Sequence, residues 1–296
     1  VSGAGGLHEP QAPAPFIVGV MRSGTTLLRL MLDAHPEVAI PPETHFVPRL
    51  IKQMRRGTRD ADGVLEVITS GSRWPDFQLD AEDLRERLRA HEPLDEGTAL
   101  RVFYRAYADR FGKPRWGDKT PGYGKRMIRI AKALPEARFI HIIRDGRDVT
   151  LSRRRRATNP ASVEKHAKRW QARIRSTRRR AQRLSHYLEE RYEQLVLDPE
   201  PVLRRVCEFI ELEYDPVMLR YYERAEERLQ EIANPFERMS AERRLEAHRL
   251  AAQPPQRGRV GAWREEMSPQ EIAEFEAAAG AMLDELGYER HQPADG

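Results

Sequence analysis

A single cysteine in 296 residues is the first scarcity of this chain. Cys207 on its own can form neither an internal disulfide framework nor a cysteine-based metal cluster. Its place in the apolar-periodic run Val202–Leu212 predicts a buried helix position. No stretch approaches the roughly 20 consecutive apolar residues that a membrane helix needs. Residues Val1 to Pro15 are small and rich in Pro and Gly, without the apolar core of a signal peptide, so secretion is not expected. The chain begins with Val rather than Met, which weakens any targeting argument. There is no internal repeat, and the scattered histidines His35, His141, His166 and His248 lack metal-ligand spacing.

What is present suits a folded chain. Hydrophobic residues make up 40% and charged ones 33%, enough apolar side chain to bury a sizeable core. Lys and Arg number 51 against 46 Asp and Glu, and the net charge of +5 fits a polyanionic ligand without requiring one. Residues 1–14 read as a flexible leader, 15–290 as one domain and 291–296 as a tail.

Phe16–Val20 is a short apolar run expected to be a buried strand, and Thr25–Ala34 an apolar helix ending near His35-Pro36. Residues 46–112 alternate helical patterns with Gly and Pro breaks, with Asp80 an N-cap for Leu84–Leu88 and Ala99–Phe111 a further amphipathic segment. Tyr123–Leu134 reads as helix and Arg138–Ile143 as the second buried strand. Ser162–Arg191 reads as a long basic helix or helix pair, and Glu190–Leu197 as a third strand. Val202–Leu212 and Pro216–Leu229 are helical patterns, and 232–257 is polar. Ser268-Pro-Gln-Glu271 is a capping box that opens a helix to Leu286, stopped by Gly287. Strands interleaved with helices predict an α/β fold, three-layered, with a mostly parallel sheet flanked by helices.

The chemistry concentrates at Gly19-Val-Met-Arg22-Ser23-Gly24-Thr25-Thr26, between the first strand and the first helix. Backbone N–H groups and a helix N-terminus converge on an anion in such a loop. The Gly-x4-Gly spacing matches a Walker A loop, but Thr25 stands where that loop has Lys, and the cation is Arg22 instead. The plainer reading is a tight turn with a Ser/Thr helix cap.

Arg22-Ser-Gly-Thr-Thr26 followed by Leu27 resembles the 5′-phosphosulfate loop of sulfotransferases that use 3′-phosphoadenosine 5′-phosphosulfate. Met31-Leu-Asp-Ala-His-Pro36, Pro42-Glu-Thr44 and Val47-Pro-Arg-Leu50 resemble the tyrosylprotein sulfotransferase branch and its bacterial relatives. The similarity runs discontinuously from about residue 16 to about 290 and is weak over 51–112. It implies the P-loop-like sulfotransferase fold. It also implies donor binding by Arg22, Ser23, Gly24, Thr25 and Thr26, with adenosine 3′,5′-bisphosphate as product.

Arg144, at the end of the second strand, and Ser152, eight residues on, resemble the family's 3′-phosphate motif; Arg offers a bidentate fork to phosphate. Unaided, the same residues read as an Arg paired to Asp145 or Asp148 and an ordinary helical Ser. Gln256-Arg-Gly-Arg-Val-Gly-Ala-Trp263 keeps the spacing of a third family segment but departs from it at Gln256, so Arg257 and Gly258 are carried over. Tyr192 matches a nucleotide-contacting position, with a packed strand-edge aromatic as the alternative. The resemblance makes Glu43 the catalytic base, with His45 a rival. It makes Lys119, in Gly117-Asp-Lys-Thr-Pro121, the partner of Arg22 on the transferring group. No metal is required in that scheme.

Two other functions compete. A nucleoside-triphosphate phosphotransferase, or NTPase, would use a degenerate Walker A loop with Asp145 as its Walker B carboxylate. A nucleic-acid or anionic-membrane binder would use Arg153-Arg-Arg-Arg156 and Arg178-Arg-Arg180, which otherwise read as solvated helix faces without the aromatics of a single-strand binder. The acceptor hydroxyl of a transferase here could belong to a protein tyrosine, a carbohydrate, a lipid or a small molecule. A cytoplasmic location is expected, no specific nucleic acid is, and a homodimer is compatible with the chain.

Overall fold

The computed structural model describes residues 11–155, 161–232, 234 and 240–291. The expected leader lies mostly, and the expected tail almost wholly, outside the described residues. The first strand begins at Ala14.

The strands are β1 (Ala14–Gly19), β2 (Val38–Ala39), β3 (Arg115–Trp116), β4 (Asp118–Lys119), β5 (Ala137–Ile143) and β6 (Tyr187–Arg191). Four of them form a parallel sheet in the order β4-β1-β5-β6, and β2 pairs with β3 in a second, two-stranded parallel sheet. In register, Phe16 faces Asp118 and Phe139, while Ile17 faces Lys119 and Ile140.

The helices, in chain order, are α1 (Thr25–Asp33), α2 (Val47–Met54), α3 (Ala61–Thr69), α4 (Ala81–Arg89), α5 (Glu96–Asp109), α6 (Met127–Ala133) and α7 (Gly146–Arg154). They continue with α8 (Val163–Ala181), α9 (Tyr192–Leu197), α10 (Pro199–Phe209), α11 (Tyr222–Gln230), α12 (Ala241–His248), α13 (Trp263–Glu266) and α14 (Pro269–Glu285). Asp80 caps α4 by accepting from the Asp83 N–H, and Ser268 and Glu271 form the capping box that opens α14.

Successive strand residues point to opposite faces, so the sheet has two apolar faces to cover. Phe16, Val18 and Phe139 pack with α2–α6 in one core, where Phe16 lies 5.6 Å from the Phe139 ring and 6.1 Å from that of Tyr104. Ile17, Ile140 and Ile142 pack with α1, α9, α10 and α11 in another. A third cluster, around Trp170, Trp263 and Phe275, joins α8, α13 and α14 to the strand ends Val20 and Ile143. Helices on both faces of a parallel sheet are the expected three-layer α/β architecture.

Two sequence readings are corrected. The long basic helix ends at Ala181, and the third strand is Tyr187–Arg191, not Glu190–Leu197. The apolar Leu195-Val-Leu197 triplet belongs to α9, which buries Tyr192, Leu195 and Val196 at helical spacing. Tyr192 therefore opens a helix and is not a strand-edge aromatic. The polar stretch 232–257 falls partly outside the described residues; within it α12 is helical.

Candidate active site

The last residue of β1 is Gly19, where the chain passes close to β5: a Cβ there would sit 2.8 Å from the Ile142 carbonyl oxygen. The chain then turns with Arg22 and Gly24 both in the left-handed region, at φ 79° and 89°. Gly24 is required twice, since a Cβ at that position would also lie 2.3 Å from the Tyr192 ring. Gly24 is the N-cap of α1, and no side chain caps that helix. The Ser/Thr-cap alternative is thus not realised. The first N–H groups of α1 keep their partial positive charge with no acidic residue in the first turn.

A cleft opens over this N-terminus. Arg22, Gly24, Thr25, Thr26, Arg144, Ser152 and Tyr192 all line it. The Arg22 Nε donates to Ser152 Oγ at 3.1 Å, a contact across 130 residues of chain. Arg144 donates to the carbonyls of Arg22 (3.2 Å) and Arg259 (2.6 Å), and its guanidinium lies 4.2 Å from the centre of the Tyr192 ring. The Tyr192 ring thus supports both the Gly24 turn and Arg144.

The alternative pairing of Arg144 is met at Asp148, 3.7 Å away, whose oxygens also accept the N–H groups of Gly261 (2.9 Å) and Trp263 (3.0 Å). Asp145 is bound to Arg147 at 2.7 Å. Burial pushes the Asp148 carboxyl up, and Arg144 acts against that push.

Ser23 is buried outside the lining of the cleft; its Oγ and Arg144 Nε lack a hydrogen-bond partner among the described residues. Arg257 and Gly258 do not line the cleft either. Arg257 donates to the Leu197 carbonyl at 2.8 Å, and it is their neighbours Gln256 and Arg259 that face inward. Sequence reasoning missed Arg259, whose signal was only its place in the Gln256–Trp263 segment, and Arg155, which also lines the cleft but read as part of a solvated run.

Glu43 and Lys119 form a separate group. Lys119, buried on β4 beside Ile17 of β1, reaches Glu43 Oε1 at 2.7 Å, while His45 Nε2 lies 2.9 Å from Glu43 Oε2. His45 itself is held at φ 45°. Burial pushes the Glu43 carboxyl up, but the Lys119 charge and the hydrogen bonds from His45 and Lys119 outweigh it, so Glu43 sits well below the usual carboxylate range. Burial pushes the Lys119 ammonium down, and Glu43 opposes that shift.

The Glu43 backbone is anchored through its neighbour. Thr44 Oγ1 donates to Asp118 Oδ2 at 2.7 Å and meets Tyr123 OH at 2.8 Å, and the Thr44 N–H donates to Thr120 Oγ1 at 3.1 Å. Tyr104 adds a 2.9 Å bond to the same Asp118 oxygen. Beside this pair a second cleft opens between α2, α3 and the Gly71–Phe77 turn, lined by His45, Phe46, Arg49, Trp74 and Phe77.

Comparison with known proteins adds the following. A family model described as "Sulfotransferase family" matches residues 13–216. Protein-tyrosine sulfotransferase A of Caenorhabditis elegans is 28% identical over 221 residues, 72% of this chain and 54% of that protein. Protein-tyrosine sulfotransferase 1 of Danio rerio is 28% identical over 225 residues, 73% of this chain and 58% of its own length. The chain spans about half the length of these curated relatives. Among solved structures, the sulfotransferase domain of the Synechococcus PCC 7002 olefin synthase superposes with a TM-score of 0.65 at 22% identity, covering 97% of this chain and 98% of that one. The sulfotransferase domain from the curacin biosynthetic pathway gives 0.63 at 19%, covering 96% and 100%. These two likenesses establish the fold.

Proposed function

The chain belongs to the sulfotransferase family, and we propose that it transfers a sulfonate from 3′-phosphoadenosine 5′-phosphosulfate to an acceptor hydroxyl. The observation that carries this reading is the Arg22–Ser152 hydrogen bond, with Arg144 on the Arg22 carbonyl, over an uncapped helix N-terminus. Four arginines, Arg22, Arg144, Arg155 and Arg259, and a helix N-terminus in one cleft suit a nucleotide with phosphate at both ends. The Nε of Arg144, a cleft-lining residue, has no hydrogen-bond partner among the described residues, which suits the same kind of ligand.

In this reading Ser23, Gly24, Thr25, Thr26 and the α1 N-terminus hold the 5′-phosphosulfate. Arg144 and Ser152 hold the 3′-phosphate, Tyr192 backs them, and the segment with Arg257 and Gly258 closes over the nucleotide. When bound, the donor supplies the sulfonate and leaves as adenosine 3′,5′-bisphosphate. Glu43 takes the acceptor's hydroxyl proton on a carboxylate oxygen, for which it must first exchange its bond to Lys119 or His45. Lys119 and Arg22 then neutralise charge at the leaving side. Lys119 thus orients the base in the resting site and stabilises the leaving group in the reacting one.

The phosphotransferase alternative loses its Walker B carboxylate, because Asp145 is tied to Arg147. The acceptor is a hydroxyl compound, and the cleft lined by Phe46, Trp74 and Phe77 is where we expect it. We assign the reaction to the cytoplasm, where a single buried cysteine is suited to a reducing environment. A screen of tyrosine peptides, sugars, lipids and phenols with sulfur-labelled donor tests the reading. Label should move to at least one class, and donor cleavage with no labelled acceptor in any class would overturn it.

A further inference from the structure

The peptide unit between Arg144 and Asp145 is held on both edges. Its carbonyl oxygen accepts the Trp170 Nε1–H at 3.1 Å, and its N–H donates to Glu193 Oε1 at 2.9 Å. Partners on both edges of that rigid plane hold the dihedrals on either side of it, and so the direction of the Arg144 side chain. The same unit is the joint between β5 and α7. Asp145 caps α7 by accepting from the Arg147 N–H, and Ser152 lies about two turns along that helix.

Glu193 itself does not line the nucleotide cleft. It lines a different one, together with Asp145, Arg191, Trp263, Tyr288 and Glu289, none of which lines the first. Tyr288, just past the Gly287 that follows α14, donates its OH to Glu193 Oε2 at 3.1 Å, and its ring centre lies 4.8 Å from the Arg191 guanidinium. Burial and then the Glu193 charge push the Tyr288 hydroxyl up, so it remains a donor. Both Glu193 oxygens are thus engaged, one on the joint and one on the C-terminal segment. Burial pushes the Glu193 carboxyl up, and foremost among the groups opposing that push is the Asp145 N–H. The residue before it, Tyr192, packs on Gly24 and carries the Arg144 guanidinium 4.2 Å from its ring centre.

On the reading of the cleft as a site for a nucleotide with a 3′-phosphate, we propose that Glu193 is a positioning residue for that phosphate. It holds the Arg144–Asp145 peptide, and through it Arg144 and Ser152, in the orientation the phosphate needs.

The role depends on reach rather than on charge. A glutamine oxygen accepts the same N–H and its nitrogen donates to the Tyr288 oxygen, so Gln in place of Glu keeps both bonds. Asp keeps the charge but is one methylene too short for the bond to the joint. Without that acceptor the N–H of the buried Asp145 loses its partner, and the peptide unit is held on one edge only.

The test compares the full chain with its Glu193→Ala, Glu193→Asp and Glu193→Gln variants by calorimetric titration with adenosine 3′,5′-bisphosphate and with adenosine 5′-phosphate. Glu193→Ala and Glu193→Asp should bind the bisphosphate about five- to tenfold more weakly and the 5′-phosphate within about twofold of wild type. Glu193→Gln should keep the wild-type affinity for both. Glu193→Asp carries the test alone if Glu193→Ala fails to fold. An undiminished preference for the bisphosphate in the Asp variant overturns the proposal. So does a loss in Glu193→Gln as large as in Glu193→Asp, which makes charge the cause, or an equal weakening of both nucleotides, which is damage to the whole cleft. A wild type that binds the two nucleotides equally overturns the reading of the cleft, and the proposal with it.

Discussion

The cleft at the end of β1 and the Glu43–Lys119 pair rest on neighbouring strands, yet they treat charge in opposite ways. In the cleft, Arg144 donates to two carbonyl oxygens with Asp148 3.7 Å away, and the α1 N-terminus has no side-chain cap and no acidic residue in its first turn. The partial charge of that N-terminus is left for a ligand to neutralise. At Glu43 the chain neutralises itself, with Lys119 on one carboxylate oxygen and His45 on the other. The first region leaves a helix N-terminus open, whereas the second pairs its charges internally. Donor binding and proton abstraction should therefore be separable by mutation.

The sharpest break is Glu43→Gln. Transfer should fall by about 10²–10⁴-fold in a labelled-donor assay, while calorimetric titration with adenosine 3′,5′-bisphosphate stays at the wild-type affinity. Lost nucleotide binding would make Glu43 part of the cleft and erase the contrast. Arg144→Ala should do the converse, weakening the bisphosphate by about 30- to 150-fold for a loss of about 2–3 kcal/mol of charged hydrogen bonding.

A smaller effect is expected behind the pair. Thr44→Val removes the bonds to Asp118 and Tyr123. It should cost about 1–2 kcal/mol in denaturant unfolding and lower kcat without changing bisphosphate affinity. The smallest effect is on pH dependence. Glu43 is depressed below its ordinary value of 4.5, so its pairing adds stability that is present above that pH and is lost as pH falls through the depressed folded value. Thermal unfolding across acid pH should fall more steeply for wild type than for Glu43→Gln; parallel curves would show that Glu43 is not depressed.

The two regions also differed in how readily the sequence revealed them. One wall of the cleft is a short contiguous run, so Gly19, Arg22 and Gly24 announce themselves by spacing, and β1, β5, α1 and the α14 capping box are visible as apolar periods and caps; Arg144, Ser152 and Tyr192 on the other walls were carried by the resemblance. The Glu43–Lys119 contact spans 76 residues and could be inferred only from resemblance. The Asp118–Thr44–Tyr104–Tyr123 cluster that holds it was invisible, because each member is ordinary alone. So was the buried set in which Arg228 binds Asp33 at 2.6 Å and Tyr107 bonds Glu231 at 2.8 Å, fastening α11 to α1 and α5. The misread third strand has a similar cause: α9 has only six residues, too few for a helical period to outweigh a β-like apolar triplet.

The central claim is that the cleft holds a nucleotide by phosphates at both its 5′ and 3′ ends. Titrating the purified chain with adenosine 3′,5′-bisphosphate, adenosine 5′-phosphate and ATP with Mg²⁺ tests it most directly. The bisphosphate should bind at least about tenfold more tightly than the 5′-monophosphate, and Ser152→Ala and Arg144→Ala should narrow that gap. Equal affinity for the two adenosine phosphates, or stabilisation by ATP with Mg²⁺ but not by the bisphosphate, would contradict it.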